Sequence, residues 1–261
     1  MPYTTNNGVK IYWEEHGSGE PLLLIMGLGA SLDQWSRTLP ALSAHYRTIV
    51  FDNRGVGKTD MPDGPYPIAT MADDARCVLD AAGVQSAHVY GISMGGMIAQ
   101  ELALQYPARV RKLVLGCTSP GGPKVVRADA EATAMLMNRP NMTIDEALEA
   151  SIPILYDTHT PRERINEDLA IRRKTYPPPA AFMSQMMGIF AWQSWDRLAA
   201  ITAPTLVIHG ASDRLVPPGN GELIAGKIPG AKWALLPDAG HIYPTDQTEL
   251  SNTAILAFLA G

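Results

Sequence analysis

A serine framed by glycines, between a strand-like run and a helix-like run, constrains this chain more than any other feature. The segment Val89-Tyr90-Gly91-Ile92-Ser93-Met94-Gly95-Gly96 contains the pattern G-x-S-x-G. Ala87 to Ile92 has the composition of a buried strand, and Gly95 to Gln105 reads as a helix. A serine on so tight a strand-to-helix turn stands proud of the sheet with its Oγ exposed. Glycine at 91 and 95 lets neighbouring backbone approach where a Cβ would clash. The same letters also describe a glycine-rich turn whose serine merely caps a helix. The two readings separate on whether the rest of the chain offers a base, an acid and an oxyanion hole.

Around this turn the chain keeps a strand–helix rhythm. Val9 to Glu14 alternates and runs into the turn signal Glu15-His16-Gly17-Ser18-Gly19-Glu20-Pro21, which with the first residues predicts an antiparallel hairpin. Leu22–Met26, Tyr46–Asp52, Val110–Cys117, Thr205–Gly210 and Lys232–Leu236 read as further strands. The most apolar of them, Leu22–Met26, is continuous, as expected of a strand buried on both faces. Apolar residues at Ile68, Met71, Ala75, Val78, Leu79 and Ala82 predict a helix over 68–82 that Gly83 ends. Thr248 to Leu259 predicts a closing amphipathic helix. The pattern is that of an α/β fold, a mostly parallel sheet with helices on both faces.

The rhythm breaks between Pro120 and Asp196, where no strand is convincing. Helical stretches are expected near 125–137, 144–151, 162–175 and 180–192, separated by proline-rich breaks such as Pro177-Pro178-Pro179. A helical insertion of that length within a βα core predicts a cap over residues 120–196, with 1–119 and 197–261 forming the core. The insertion holds six of the twelve methionines. Flexible, polarisable side chains at that density suit an adaptable apolar roof. Met135, Met183, Met186, Met187, Phe190 and Trp192 are the candidates to line the pocket, favouring an uncharged, partly hydrophobic substrate group.

Asp213 and His241 each follow an expected core strand, as Ser93 does. All three should therefore project from the same edge of the sheet, where sites of α/β proteins form. The chemistry needs these types. A hydroxyl is a poor nucleophile near neutral pH, an imidazole can take its proton and later deliver it, and a carboxylate fixes the imidazole tautomer. The backbone N–H of Met94, next after the nucleophile, is one oxyanion donor. The N–H of Leu28, in the loop Gly27-Leu28-Gly29-Ala30-Ser31, is the expected second. Asp238 is the alternative acid, but it sits three residues from His241 in the same loop. His16 reads as a surface residue, His88 as lying at a strand start before the Ser93 turn and His209 as a hydrogen-bonded core residue, while His45 and His159 lack a matching loop.

Several other chemistries are disfavoured. Gly57-Lys58-Thr59 ends like a phosphate-binding loop, but the glycine needed five positions before Gly57 is Asp52; Asp52 and Arg54 read instead as pins for neighbouring loops. A dinucleotide fingerprint would need glycine at Leu32. No cluster has metal-ligand spacing, so neither metal nor cofactor is expected. The net charge is −5 with no basic cluster, which leaves nucleic-acid binding without an electrostatic footprint. Cys77 and Cys117 do not form a C-x-x-C and read as buried thiols of a reducing compartment. The first residues lack a basic-then-apolar leader, and no apolar run is long enough to span a membrane. A cytoplasmic protein is expected.

At these residues the chain resembles the α/β-hydrolase superfamily. The matches are Gly91-Ile92-Ser93-Met94-Gly95-Gly96, Asp52-Asn53-Arg54-Gly55-Val56-Gly57, Gly210-Ala211-Ser212-Asp213 with Val216-Pro217, and Gly240-His241. The branch most similar contains small bacterial carboxylesterases, enol-lactonases and methyl-esterase-like enzymes. The resemblance implies an eight-stranded sheet, a cap inserted after strand 6, and a serine hydrolase acting on small ester or lactone substrates through an acyl-enzyme. One departure concerns the oxyanion loop, where many members have His-Gly and this chain has Met26-Gly27. The Ser93 nucleophile separates the chain from members that use aspartate. A C–C bond hydrolase or lyase using the same triad stays open, as does a small-molecule receptor on the same fold.

Overall fold

A computed structural model describes residues 3–261. Met1 and Pro2, part of the N-terminal stretch read above as lacking a leader, lie outside the described residues. The chain opens with β1 (Tyr3–Asn6) and β2 (Val9–His16), paired antiparallel. Asn7 and Gly8 between them both take positive φ, as a two-residue hairpin turn requires. Next come β3 (Pro21–Ile25), α1 (Leu39–Ser43), β4 (Arg47–Phe51), α2 (Ile68–Ala81), β5 (Ala87–Ile92), α3 (Met94–Gln105) and β6 (Val110–Gly116). Four helices follow β6: α4 (Ala130–Asn138), α5 (Ile144–Leu155), α6 (Arg162–Lys174) and α7 (Pro179–Ala191). The chain closes with β7 (Thr205–Gly210), α8 (Gly219–Lys227), β8 (Lys232–Leu236), α9 (Tyr243–Asp246) and α10 (Thr248–Ala260).

The strands form one eight-stranded sheet in the order β1-β2-β4-β3-β5-β6-β7-β8. From β4 to β8 every pairing is parallel, so the C-terminal ends of β3, β5, β6, β7 and β8 share one edge. Alternate residues of the central strands feed two cores. Leu23, Val89, Leu113 and Val207 pack with α2 and α3, while Leu24, Tyr90, Val114 and Ile208 pack with Trp35, Leu42 and α10. Burial on both faces is why these strands lack polar alternation.

The helical insertion departs from expectation at its ends. The helix expected from Val125 begins at Ala130, because the Asp129 carboxylate accepts the Ala132 N–H and caps it there. The helix expected to stop at Ser151 runs through Pro153 to Leu155, since Ile154 and Leu155 are buried and their packing outweighs the bond that proline forfeits. Thr143 and Glu146 form a capping box at its start. The stretch without an expected strand does carry one isolated bridge, Gly121 with Gln193, which ties its two ends together. Trp192 closes the same neck by donating its indole N–H to Glu101 of α3 at 2.7 Å. Among the described residues no helix is long and apolar enough to cross a membrane.

Candidate active site

Ser93 sits between β5 and α3 at φ 56 and ψ −120, a conformation costly for any side chain other than glycine. Its surroundings hold it there. The Ser93 N–H donates to Gly116 O at 2.9 Å, and the Thr118 hydroxyl donates to Ser93 O at 2.7 Å. The turn needs its glycines: a Cβ on Gly91 would stand 2.2 Å from Gly95 O, and one on Gly95 would stand 2.0 Å from Ile25 O. Helix α3 begins at Met94, so the Met94 N–H has no acceptor within its own helix.

The loop after β3 approaches from the side. A Cβ on Gly27 would lie 3.1 Å from Ser93 Cβ, which places this loop against the serine. Leu28 lines the same cavity as Ser93 and Met94. Position 26, just before Gly27, is methionine and not histidine. Three side chains hold the loop. Asp52 Oδ1 accepts the Leu32 N–H at 2.8 Å, Asn53 Nδ2 donates to Met26 O at 2.8 Å, and Gln185 Oε1 accepts the Gly29 N–H at 2.8 Å. Gln185 is fully buried and also donates to Arg54 O at 2.9 Å. Arg54 is itself fixed by a bidentate pair with Asp74 at 2.6 and 2.7 Å. Asp52 and Arg54 thus pin loops, as their sequence context suggests, whereas nothing in the sequence marks Gln185 for such a part.

Asp213 and His241 meet at the sheet edge. His241 Nδ1 lies 2.8 Å from Asp213 Oδ2, and both side chains are buried. Asp213 Oδ1 accepts the Val216 N–H at 2.8 Å. His209 Nε2 lies 2.7 Å from Val216 O and 3.2 Å from Asp213 Oδ2, so this core histidine also faces the carboxylate. Burial opposes ionisation of Asp213, but His241 and His209 outweigh it and hold its carboxyl below the ordinary range. Burial likewise disfavours the His241 imidazolium, and the Asp213 carboxylate outweighs it, raising the ring above the ordinary histidine value. Cys117, at positive φ just past β6, brings its sulfur within 4.8 Å of the His241 and Asp213 polar atoms. Burial pushes that thiol up. Asp246 steadies the histidine loop by accepting the Gly240 N–H at 2.7 Å and the Thr160 hydroxyl at 2.6 Å. The alternative acid, Asp238, is exposed and lies 3.9 Å from His159.

Ser93 and His241 open on a cavity of about 700 Å³ beneath the inserted helices. Of the expected lining residues, Met135, Met186 and Phe190 face it. Met183, Met187 and Trp192 do not. A helix turns about 100° per residue, so a stripe through Met186, Ile189 and Phe190 turns Met187 outward, where it is exposed, while Met183 lies one turn before Met186 and outside the cavity wall. Trp192 is spent on the neck. The wall also carries Arg127, Arg139 and Arg172, which a roof judged from its methionines does not foresee.

This arrangement has counterparts. The family model described as alpha/beta hydrolase fold matches residues 20–244. The "Putative carbamate hydrolase RutD" of Azorhizobium caulinodans is 32% identical, over 99% of this chain and 98% of its own. The enol-lactonase from Burkholderia xenovorans superposes with a TM-score of 0.89 at 26% identity, covering 100% of both chains. A thermophilic esterase from Thermogutta terrifontis gives 0.83 at 28% identity, over 99% of this chain and 96% of its own. With this fold, this sheet order and a family match over most of its length, the chain belongs to the alpha/beta hydrolase fold family.

Proposed function

We propose that the protein is a serine hydrolase that cleaves carboxylic esters or lactones of small to medium size. The observation that carries this reading is the Asp213–His241 pair at 2.8 Å, opening on the same cavity as a serine held at positive φ. In the proposed reaction Ser93 Oγ attacks the substrate carbonyl while His241 takes its proton. Asp213 keeps the proton of His241 on Nδ1 and leaves Nε2 free to act as base. The Leu28 and Met94 amides hold the oxyanion; one such donor is worth about 2.7–4 kcal/mol of transition-state stabilisation. His241 then protonates the leaving alcohol, and water hydrolyses the acyl-enzyme by the same relay. The helices α4–α7 act as the lid. The two solved relatives are described as a lactonase and an esterase, which supports the bond class. The free thiols Cys77 and Cys117 fit a cytoplasmic setting.

A fluorophosphonate probe tests the nucleophile. It should label the native protein stoichiometrically and leave folded Ser93→Ala unlabelled. Equal labelling of the two proteins would show that Ser93 is not the reacting group.

A further inference from the structure

Asp213 is met by two histidines, and only one of them opens on the cavity. His241 lines the cavity wall, whereas His209, within β7, is fully enclosed. His209 Nε2 has two neighbours, Val216 O at 2.7 Å and Asp213 Oδ2 at 3.2 Å, and both are acceptors. Its other ring nitrogen, Nδ1, is buried without a hydrogen-bond partner. A proton there would be stranded away from water and from any acceptor. The ring proton therefore belongs on Nε2, shared between the Val216 carbonyl and the Asp213 carboxylate.

The enclosure fixes the ring in that pose. Trp233 of β8 packs against it with ring centroids 6.1 Å apart. Gly221 of α8 leaves it room, since a Cβ there would stand 2.7 Å from His209 Nδ1. Asp213 accepts three donors in all: the Val216 N–H on Oδ1 at 2.8 Å, and on Oδ2 the His241 Nδ1–H at 2.8 Å and the longer His209 contact. His209 also closes the turn from Asp213 to Val216, because it holds the carbonyl of the residue whose N–H Asp213 accepts. An N–H dipole with its positive end toward a carboxylate draws on the same charge that keeps the proton on His241. Three other titratable groups stand near the pair. The Cys117 thiol comes within 4.8 Å, and burial keeps it protonated. Arg172 of α6 lines the cavity with His241, and Asp246 accepts the Gly240 N–H. Among the described residues none of these donates to Asp213.

We propose that His209 is a positioning residue of the reaction: by donating from Nε2 to Asp213 it holds the carboxylate on His241 and limits how firmly that carboxylate retains the His241 proton. His241 then becomes a free base at a lower pH than Asp213 alone would allow. This assignment rests on the hydrolase reading of Ser93 and adds a second histidine, behind the acid, to Ser93, Asp213 and His241.

The test is the pH profile of kcat/KM for p-nitrophenyl acetate in His209→Met, which removes the donor, and in His209→Gln, which returns an N–H near the place of Nε2. In His209→Met the acid-side midpoint should rise by about 0.5–1 pH unit, the scale of a shared hydrogen bond to a charged group acting through its neighbour. Plateau kcat should fall severalfold with KM changed less, and His209→Gln should return the midpoint most of the way to wild type. A folded His209→Met protein with the wild-type midpoint, however slow, would overturn the proposal, because lost packing lowers kcat without moving the midpoint. So would a midpoint in His209→Gln shifted as far as in His209→Met. Either result leaves the hydrolase reading standing as long as hydrolysis requires Ser93. A second readout does not depend on the Met variant folding. Long-range proton–nitrogen correlation of the histidine rings in the wild-type protein, with the His209 signals identified by their absence from His209→Gln, should show the His209 proton on Nε2. A proton on Nδ1 would overturn the proposal. This readout holds even if Ser93→Ala hydrolyses the ester as fast as wild type, the result that would sink the hydrolase reading instead.

Discussion

Replacing Asp213 by Asn tests the geometry of the site at a single atom. Asp213 Oδ1 accepts the Val216 N–H at 2.8 Å, while Oδ2 faces His241 Nδ1 at 2.8 Å and His209 Nε2 at 3.2 Å. An asparagine has one acceptor and one donor end. With its oxygen toward Val216, its NH₂ faces His241 and forces the imidazole proton from Nδ1 to Nε2. The ring then has no lone pair for the Ser93 proton. With the amide flipped, NH₂ meets the Val216 N–H, a buried donor–donor contact costing about 1–3 kcal/mol. The first orientation should therefore prevail, and the wrong tautomer lowers kcat by about 10⁴-fold, close to 5 kcal/mol of barrier. The assay is steady-state hydrolysis of a p-nitrophenyl ester, with thermal unfolding to establish that the variant is folded. Asp238→Asn serves as the control and should leave kcat within about twofold, since that residue is exposed. A folded Asp213→Asn protein within tenfold of wild type would refute the reasoning, and a large loss in Asp238→Asn would identify the wrong acid.

Other consequences follow from the same contacts. Because Asp213 raises the His241 pKa and the base must be neutral, kcat/KM should fall on the acid side with a midpoint above the ordinary histidine value of about 6.5. A midpoint below that value would contradict the stated balance of charge and burial. Gln185→Leu leaves the Gly29 N–H and Arg54 O unpaired at the loop after β3, the proposed oxyanion loop. It should lower kcat by roughly ten- to a hundredfold while changing KM less, the split expected when a transition-state donor is misplaced; an equal rise in KM with kcat intact would show that the loop serves binding. Asp74→Ala strands the buried Arg54 guanidinium and should cost about 3–5 kcal/mol in urea denaturation. A loss under 1 kcal/mol would mean that solvent reaches that pair.

Local chemistry explains which parts were legible in the sequence. Strands buried on both faces show continuous apolar runs, so β3, β5 and β7 could be read directly. Once the strands are parallel, their ends share an edge, and the placement of Ser93, Asp213 and His241 along that edge could be read without any contact being known. Features that depend on tertiary closure were not legible. Gln185 supports a loop 156 residues away in sequence through the Gly29 N–H. His209 lies in a strand, and only the turn through Val216 brings the Asp213 carboxylate back to it. Arg172 opens the run Arg172-Arg173-Lys174 in the last turn of α6, and the sequence alone does not say which of these charges turns inward. Only the docking of α6 over the loop after β3 turns the first of these charges inward, while Arg173 stays outside paired with Asp145. The start of α4 was blurred because a single cap, Asp129, overrides several residues of helical composition.

The central claim is that Ser93 forms an acyl-enzyme. Acid quenching during turnover of a p-nitrophenyl ester, followed by peptide mass mapping, tests it most directly. The account predicts the acyl mass on the peptide containing Ser93, accumulating within a burst of p-nitrophenol and absent from Ser93→Ala. An acyl mass on another residue, or turnover that survives intact in folded Ser93→Ala, would contradict it.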